Sequence, residues 1–298
     1  MLSSVFLFLC LFLNVNVVFA QDFRPQPEMS TGVALKVSST VSDRSMVVTA
    51  HPEATKAAKE ILRQGGNAID AAIAAQLVLG LVEPQSSGLG GGAFLLYYDA
   101  KSGQTYSFDG REVAPVNAPQ NMFLNDDGTP MGFYEAALSG LSVGVPGTPL
   151  LLDSVHSAFG ALPWGDLFDY SVSLAEEGFL VTPRLSMMVQ NSSDNLKKFT
   201  QATKYFNGAV LGRTLKNPEY AQTLKMFRDF GSIVFYEGDI AKRIVQGVQA
   251  EGGYLTINDL EAYEVKTRDT LCDYYRGYKI CSMNEPSSGG LTLLQMLN

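Results

Sequence analysis

Residues 67–115 read NAIDAAIAAQLVLGLVEPQSSGLGGGAFLLYYDAKSGQTYSFDGREVAP, and the fold follows from how this stretch is divided. Asn67 is placed to cap a helix, with Asp70 three residues on and able to reach back to the cap. From Ala71 to Val82 only Gln76 and Gly80 are not apolar, and a helix apolar on all sides is a buried helix. Glu83-Pro84 ends it, because proline cannot continue the hydrogen-bond ladder. Gly88-Leu89-Gly90-Gly91-Gly92 follows, then the apolar run Ala93–Tyr98, which is of strand type. Gly103 marks a turn. A second strand begins at Tyr106 and delivers Asp109-Gly110-Arg111-Glu112 past its end.

The glycine cluster is not a dinucleotide fingerprint. That motif follows a strand and opens a helix, so that the helix N-terminus faces the pyrophosphate; here a helix precedes and a strand follows. Two readings of the glycines stand: a tight turn against a packed layer, or a backbone bare enough for a substrate to approach.

Working outward, the 298 residues permit one large domain or two small ones, and 46% hydrophobic against 17% charged residues describes a globular chain with ample core. The net charge of −8 without basic runs is a poor match to nucleic acid. Two histidines and three cysteines leave few ligands for a zinc site, and neither a cofactor nor a metal is expected. Residues 1–20 are apolar and end Val18-Phe19-Ala20, which predicts a signal peptide cleaved before Gln21 and an exported protein, periplasmic or extracellular. The alternative is an uncleaved membrane anchor, since about 20 apolar residues span a bilayer. Residues 21–45, with Pro25 and Pro27, read as a loose lead-in, and 46–298 as the folded region.

Met46–Thr49 is expected to be a short strand. Pro52 opens a helix whose Ala54, Ala57, Ala58, Ile61 and Leu62 share one face, closed by Gly65-Gly66. His51 beside it reads as structural. Asn117–Asp127 is a surface excursion turning at Asn125–Gly128, a solvated turn in preference to a calcium loop. Gly140–Pro149 reads as a strand-turn pair. Leu150–Phe159, Trp164–Glu177, Arg184–Lys198, Pro218–Phe230 and Asp239–Glu251 are helical by period, and Thr256-x-x-Asp259 opens a further turn. Arg268–Tyr275 and Tyr278–Met283 form a hairpin about Arg276-Gly277. In that register Cys272 faces Cys281 at a non-hydrogen-bonded pair, so either a disulfide or two separate thiols fit. Asn191-Ser192-Ser193 is a glycosylation sequon, of consequence only in a eukaryotic secretory pathway. The chain stops inside a helix, Leu291–Leu297, which reads as a truncation.

No GxSxG elbow and no HExxH is present. Ser287-Ser288 sits in a Gly/Pro turn, where serine is common. Arg111 stands out, because a guanidinium at a strand-to-loop junction binds a carboxylate through two parallel hydrogen bonds. The competing reading is a structural pair with Glu112 or Asp109.

Gly65-Gly66-Asn67-Ala68-Ile69-Asp70-Ala71-Ala72, Gly88–Phe94, Arg111-Glu112-Val113-Ala114-Pro115, Pro146-Gly147-Thr148, Gly277-Tyr278 and Pro286-Ser287-Ser288-Gly289-Gly290 together resemble the gamma-glutamyltranspeptidase family, the glutathione hydrolases. The match runs in order over residues 45–298. It implies an α+β fold: the four-layer αββα sandwich of N-terminal-nucleophile hydrolases, incomplete here as the large-subunit part only. It implies a zymogen that cleaves itself into two subunits. The new N-terminal threonine of the small subunit then attacks a γ-glutamyl amide, with its own amine as base. The acyl group passes to water or to an amino acid or peptide acceptor. The implied partners are glutathione and other γ-glutamyl compounds, those acceptors, and the small subunit. Arg111 matches the arginine that binds the glutamyl α-carboxylate. The catalytic threonine lies beyond this chain, so no threonine here is assigned as nucleophile, and the fragment alone is expected to be inactive. A related amide acylase of cephalosporin type, and a non-catalytic secreted fragment, are the alternatives.

Overall fold

Helices α1 (Pro52–Arg63) and α2 (Ala68–Val82) form the heart of the core, in a computed structural model that describes residues 39–298. The expected signal peptide or anchor at 1–20, and the lead-in up to residue 38, lie outside the described residues. Asn67 Oδ1 accepts hydrogen bonds from Ile69 N and Asp70 N at 2.9 and 3.1 Å, and Asp70 Oδ2 accepts from Asn67 N at 2.9 Å, a complete capping box. Asp70 also binds Ala161 N and Leu162 N, tying the start of α2 to a loop ninety residues away in sequence. Ile73, Leu77, Val78, Leu81 and Val82 are essentially inaccessible to solvent. Past the short helix α3 (Phe133–Ala137) come α4 (Thr148–Phe159) and α5 (Asp169–Glu177); α2 packs on these two and on α1, which explains why it is apolar all round.

Strands β1 (Ala93–Asp99) and β2 (Gln104–Gly110) pair antiparallel, with Ala93 opposite Gly110; β5 (Lys266–Arg268) joins the other edge of β2, Ser107 opposite Arg268. Because side chains alternate along a strand, Tyr97, Tyr106 and Phe108 share one face. Phe159 at the end of α4 packs against all three rings, at 5.0, 4.9 and 6.0 Å. Leu96 and Tyr98, on the opposite face, are 43% and 63% exposed. Among the described residues the arrangement is thus one helical layer on one sheet, an α+β architecture. Two shorter pairs complete the strands: β3 (Phe179–Leu180) with β4 (Thr214–Leu215), and β6 (Leu271–Tyr275) with β7 (Tyr278–Ser282). The hairpin turns at Arg276 (φ 48°) and Gly277 (φ 84°), the left-handed pair that two-residue hairpins require. Cys272 pairs with Cys281 across it, with sulfurs 2.14 Å apart in a disulfide.

Five expectations are corrected. Met46–Thr49 forms no strand, because no strand among the described residues pairs with it. Gly140–Pro149 is not a strand pair: Gly140–Ser142 is a single 3-10 turn, Val145 makes an isolated bridge to Val113, and α4 has begun by Thr148. Glycine and short apolar residues there serve close packing instead, since Gly140 N donates to Glu251 O at 2.8 Å. The strand expected over Arg268–Tyr275 breaks at Asp269-Thr270; its first residue belongs to β5 and the rest to β6. The helices expected over 164–177 and 184–198 also break, at Phe168 and Ser192.

His51 is structural. It is buried, and its Nδ1 accepts from Glu53 N at 3.2 Å, capping α1. Burial pushes its pKa below the ordinary 6.5, outweighing the charges of Glu83 and Glu53 that pull the other way. The unfolded chain therefore binds a proton more readily than the folded one. The stability this confers is complete above pH 6.5 and is lost as pH falls through the lowered native value, where a protonated Nδ1 can no longer accept the cap. His51→Asn, which caps without titrating, is expected to flatten the stability profile below pH 6.5 in urea melts compared with the parent. Parallel profiles would show that His51 does not contribute to the acid sensitivity.

Candidate functional site

Arg111 follows β2 immediately, and its main chain leaves the ladder after the Ala93–Gly110 pair. Its side chain is 63% exposed, with Nε 3.5 Å from Glu112 Oε2. An exposed pair at that distance contributes little to stability. Pairing with Asp109, the other structural reading, is ruled out by the geometry. Asp109 is buried, its Oδ2 meets Arg268 Nε at 2.6 Å, and its Oδ1 accepts from the main-chain N–H of Arg111 at 2.9 Å. The guanidinium instead borders an open cleft of about 500 Å³, walled by Glu112, Val113, Met122, Phe123 and Val143. A second cleft of about 520 Å³ adjoins it through Gly90 and Glu112, and is edged by Gln76, Ser87 and Gly92. Gln76 Nε2 donates to Ser87 Oγ at 2.8 Å, which accounts for one of the two non-apolar residues of α2.

The glycine cluster packs as a tight turn, the first of the two readings the sequence leaves open. Gly91 O accepts from Gly147 N, Thr148 N and Thr148 Oγ1 at 2.9, 3.0 and 3.1 Å, knitting the turn to the start of α4. Gly90 lines both clefts. Two of the glycines are dictated by contact: a Cβ on Gly92 would lie 2.7 Å from Gly110 O, and one on Gly147 would lie 2.0 Å from the same oxygen and 2.2 Å from Tyr263 Oη.

Sequence reasoning singled out Arg111 but not its surroundings. Tyr263 Oη donates to Arg111 O at 2.8 Å, and Val116 N donates to Asp259 Oδ1 at 2.9 Å, anchoring the base of the excursion that brings Met122 and Phe123 to the cleft. Burial pushes the Tyr263 hydroxyl up to about 12, with the Asp109 and Glu112 charges adding to it, so it is a protonated donor at neutral pH. The sequence signal available was slight: three apolar residues, Met122-Phe123-Leu124, inside a polar loop. Among the described residues, no cluster of histidine, cysteine and carboxylate side chains is arranged to hold a metal ion. Ser287 only caps the helix Ser288–Leu297, through Gly289 N at 3.3 Å.

With its helical layer on an antiparallel sheet and an arginine at the sheet's end, the chain shares the structural class of its solved neighbours, the N-terminal-nucleophile hydrolases. Its backbone matches the crystal structure of Helicobacter pylori gamma-glutamyltranspeptidase with a TM-score of 0.82 and 33% identity, over 87% of this chain and 75% of that one. The cephalosporin acylase of Bacillus halodurans is less similar, with a TM-score of 0.68 and 27% identity over 82% of this chain and 48% of that one. The sequence model of gamma-glutamyltranspeptidase matches residues 54–298, and the chain belongs to that family. The glutathione hydrolase proenzyme of Bacillus subtilis is 40% identical over 261 residues, 86% of this chain and 44% of that protein. The chain thus spans somewhat under half the length of this curated relative.

Proposed function

We propose that this chain is the part of a γ-glutamyl hydrolase and transferase that binds the glutamyl head of glutathione and related γ-glutamyl compounds. The observation carrying this reading is Arg111: exposed at the mouth of a cleft, unclaimed by Asp109, and carried on a firmly packed junction. Its fork accepts the α-carboxylate by two parallel charge-assisted hydrogen bonds. The carboxylate then fixes the γ-carbonyl at a set distance from the fork. In this proposal the hydroxyl of the small subunit's N-terminal threonine attacks that carbonyl, its α-amine takes the hydroxyl proton, and the proton passes to the departing amine as the C–N bond breaks. Water or an amino-acid amine then attacks the resulting ester and releases the threonine.

The reading commits the site to substrates bearing an α-carboxylate, which separates it from a general amide acylase. The test is a comparison of two anilides on the full-length gene product: L-γ-glutamyl anilide and 4-aminobutanoyl anilide, which lacks only that carboxylate. A site built to bind the missing group discriminates strongly, and a preference of about 100-fold or more in kcat/KM is expected from a bidentate pair. Equal rates on the two anilides would refute the carboxylate role.

A further inference from the structure

We propose that Tyr263 and Asp109 are positioning residues that clamp the main chain of Arg111 from both sides and so aim its guanidinium at the substrate carboxylate. The inference rests on the carboxylate-binding reading of Arg111. It adds two side chains that never touch substrate.

Residue 111 sits one step beyond the last rung of the β1–β2 ladder, so the sheet satisfies neither its N–H nor its C=O. Both groups go to side chains: the N–H to Asp109 Oδ1 at 2.9 Å, the C=O to Tyr263 Oη at 2.8 Å. Each clamp is itself held. Arg268 on β5 grips the other oxygen of Asp109 at 2.6 Å, and β5 is hydrogen-bonded to β2 alongside. The Tyr263 ring lies parallel to that of Tyr236, 5.8 Å between centroids and 6° between planes. Tyr236 Oη in turn donates to Pro146 O at 2.8 Å and accepts from Leu150 N at 3.2 Å. Gly147, whose missing Cβ leaves room for the Tyr263 hydroxyl, closes the far side. Tyr263 is therefore buried between the residue before α4 and the Arg111 carbonyl, with the Tyr236 ring against its face.

An arginine side chain has several rotatable bonds, so a fixed main chain does not set the fork alone; it fixes the Cα–Cβ bond from which the fork reaches and so narrows the region the fork can sweep. Glu112 limits the side chain at Nε, and the two clamps limit the peptide units on either side. The consequence is a division of labour: the charge at 111 binds, while Tyr263 and Asp109 determine where that charge is.

The test uses the full-length gene product, the same two anilides, and Tyr263→Phe, Asp109→Asn and Arg111→Ala singly and in combination. Tyr263→Phe is expected to raise KM for the γ-glutamyl anilide about fivefold, the equivalent of one net hydrogen bond, with a smaller change in kcat. It is expected to leave KM for the 4-aminobutanoyl anilide unchanged and to add nothing in an Arg111→Ala background. A merely structural role would raise KM for both anilides alike and would multiply with Arg111→Ala; either result overturns the clamp. Asp109→Asn, tested the same way, supports or overturns the proposal should Tyr263→Phe fail to fold. If Arg111→Ala itself leaves KM for the γ-glutamyl anilide unchanged, the carboxylate reading has failed. If Arg111→Ala raises it while Tyr263→Phe and Asp109→Asn do not, only the clamp has failed.

Discussion

Arg111→Ala is expected to lower kcat/KM for glutathione about 100-fold, most of it in KM, and to abolish the preference for γ-glutamyl over 4-aminobutanoyl anilide. Truncating one partner of a hydrogen-bonded charge pair costs about 2–5 kcal/mol when the pair is desolvated. Arg111 is 63% exposed in this chain, so the lower part of that range applies. About 3 kcal/mol corresponds to roughly a hundredfold, at about 1.4 kcal/mol per factor of ten. The loss falls on KM because the carboxylate is gripped equally in ground and transition states, which is uniform binding. Arg111→Lys keeps the charge and loses the fork, and is expected to fall between, about tenfold down. The 4-aminobutanoyl anilide has nothing for the fork to hold, so both variants should treat it as the parent does. A fall in its rate matching the fall for glutathione would mean that the substitution had damaged the site at large.

The second large effect concerns the fold. Asp70 is fully buried, and its Oδ2 accepts from three main-chain N–H groups: Asn67 at 2.9 Å, Ala161 at 3.1 Å and Leu162 at 3.2 Å. It caps α2 and at the same time holds the loop that follows α4. Asp70→Ala leaves all three donors unpaired in the interior, at about 1–3 kcal/mol for each buried unsatisfied group. Allowing for relaxation, a loss of about 4 kcal/mol is expected, a large share of the 5–15 kcal/mol that holds a typical domain together. Asp70→Asn is the informative control. With its amide oxygen in the Oδ2 place it keeps all three acceptances. Its nitrogen then faces only a second, shared contact with Ala161 N at 3.1 Å and the His156 ring nitrogen at 3.8 Å. It should recover most of the loss. Urea melts read both variants; a shift under 1 kcal/mol for Asp70→Ala would mean the capping box is ornamental and α2 is held by packing alone.

The local grammar of this protein is plain in its sequence. The Asn67–Asp70 capping box, the all-apolar body of α2, the proline that ends it and the Arg276-Gly277 hairpin are each specified within a few residues, and the structure contains each. Errors fell where one segment's state depends on a distant one. Met46–Thr49 has strand composition, but no strand among the described residues pairs with it. Gly140–Pro149 has the small residues of a turn, yet they serve to bring Gly140 against the chain at Glu251 and Gly147 against Gly91. Arg268 reads as the opening of the hairpin strand because nothing nearby reveals that it belongs to β5, whose partner is β2.

Arg111 could be singled out from its own neighbourhood as a charged fork at a strand-to-loop junction, although the pattern alone left a structural pair with Glu112 or Asp109 equally open. The family resemblance alone implied the α-carboxylate that it is proposed to meet. That the fork is open to a cleft instead of spent on Asp109 was decided only in three dimensions, by Arg268 reaching Asp109 from β5. So was the aim of the fork, which depends on Tyr263, more than 150 residues downstream. The reason is one of range. Caps, turns and apolar faces are settled by neighbours in the chain, whose separation is fixed by covalent geometry. The direction and partners of a side chain at a junction are settled by whichever distant segments packing brings to it, and no local pattern encodes that meeting.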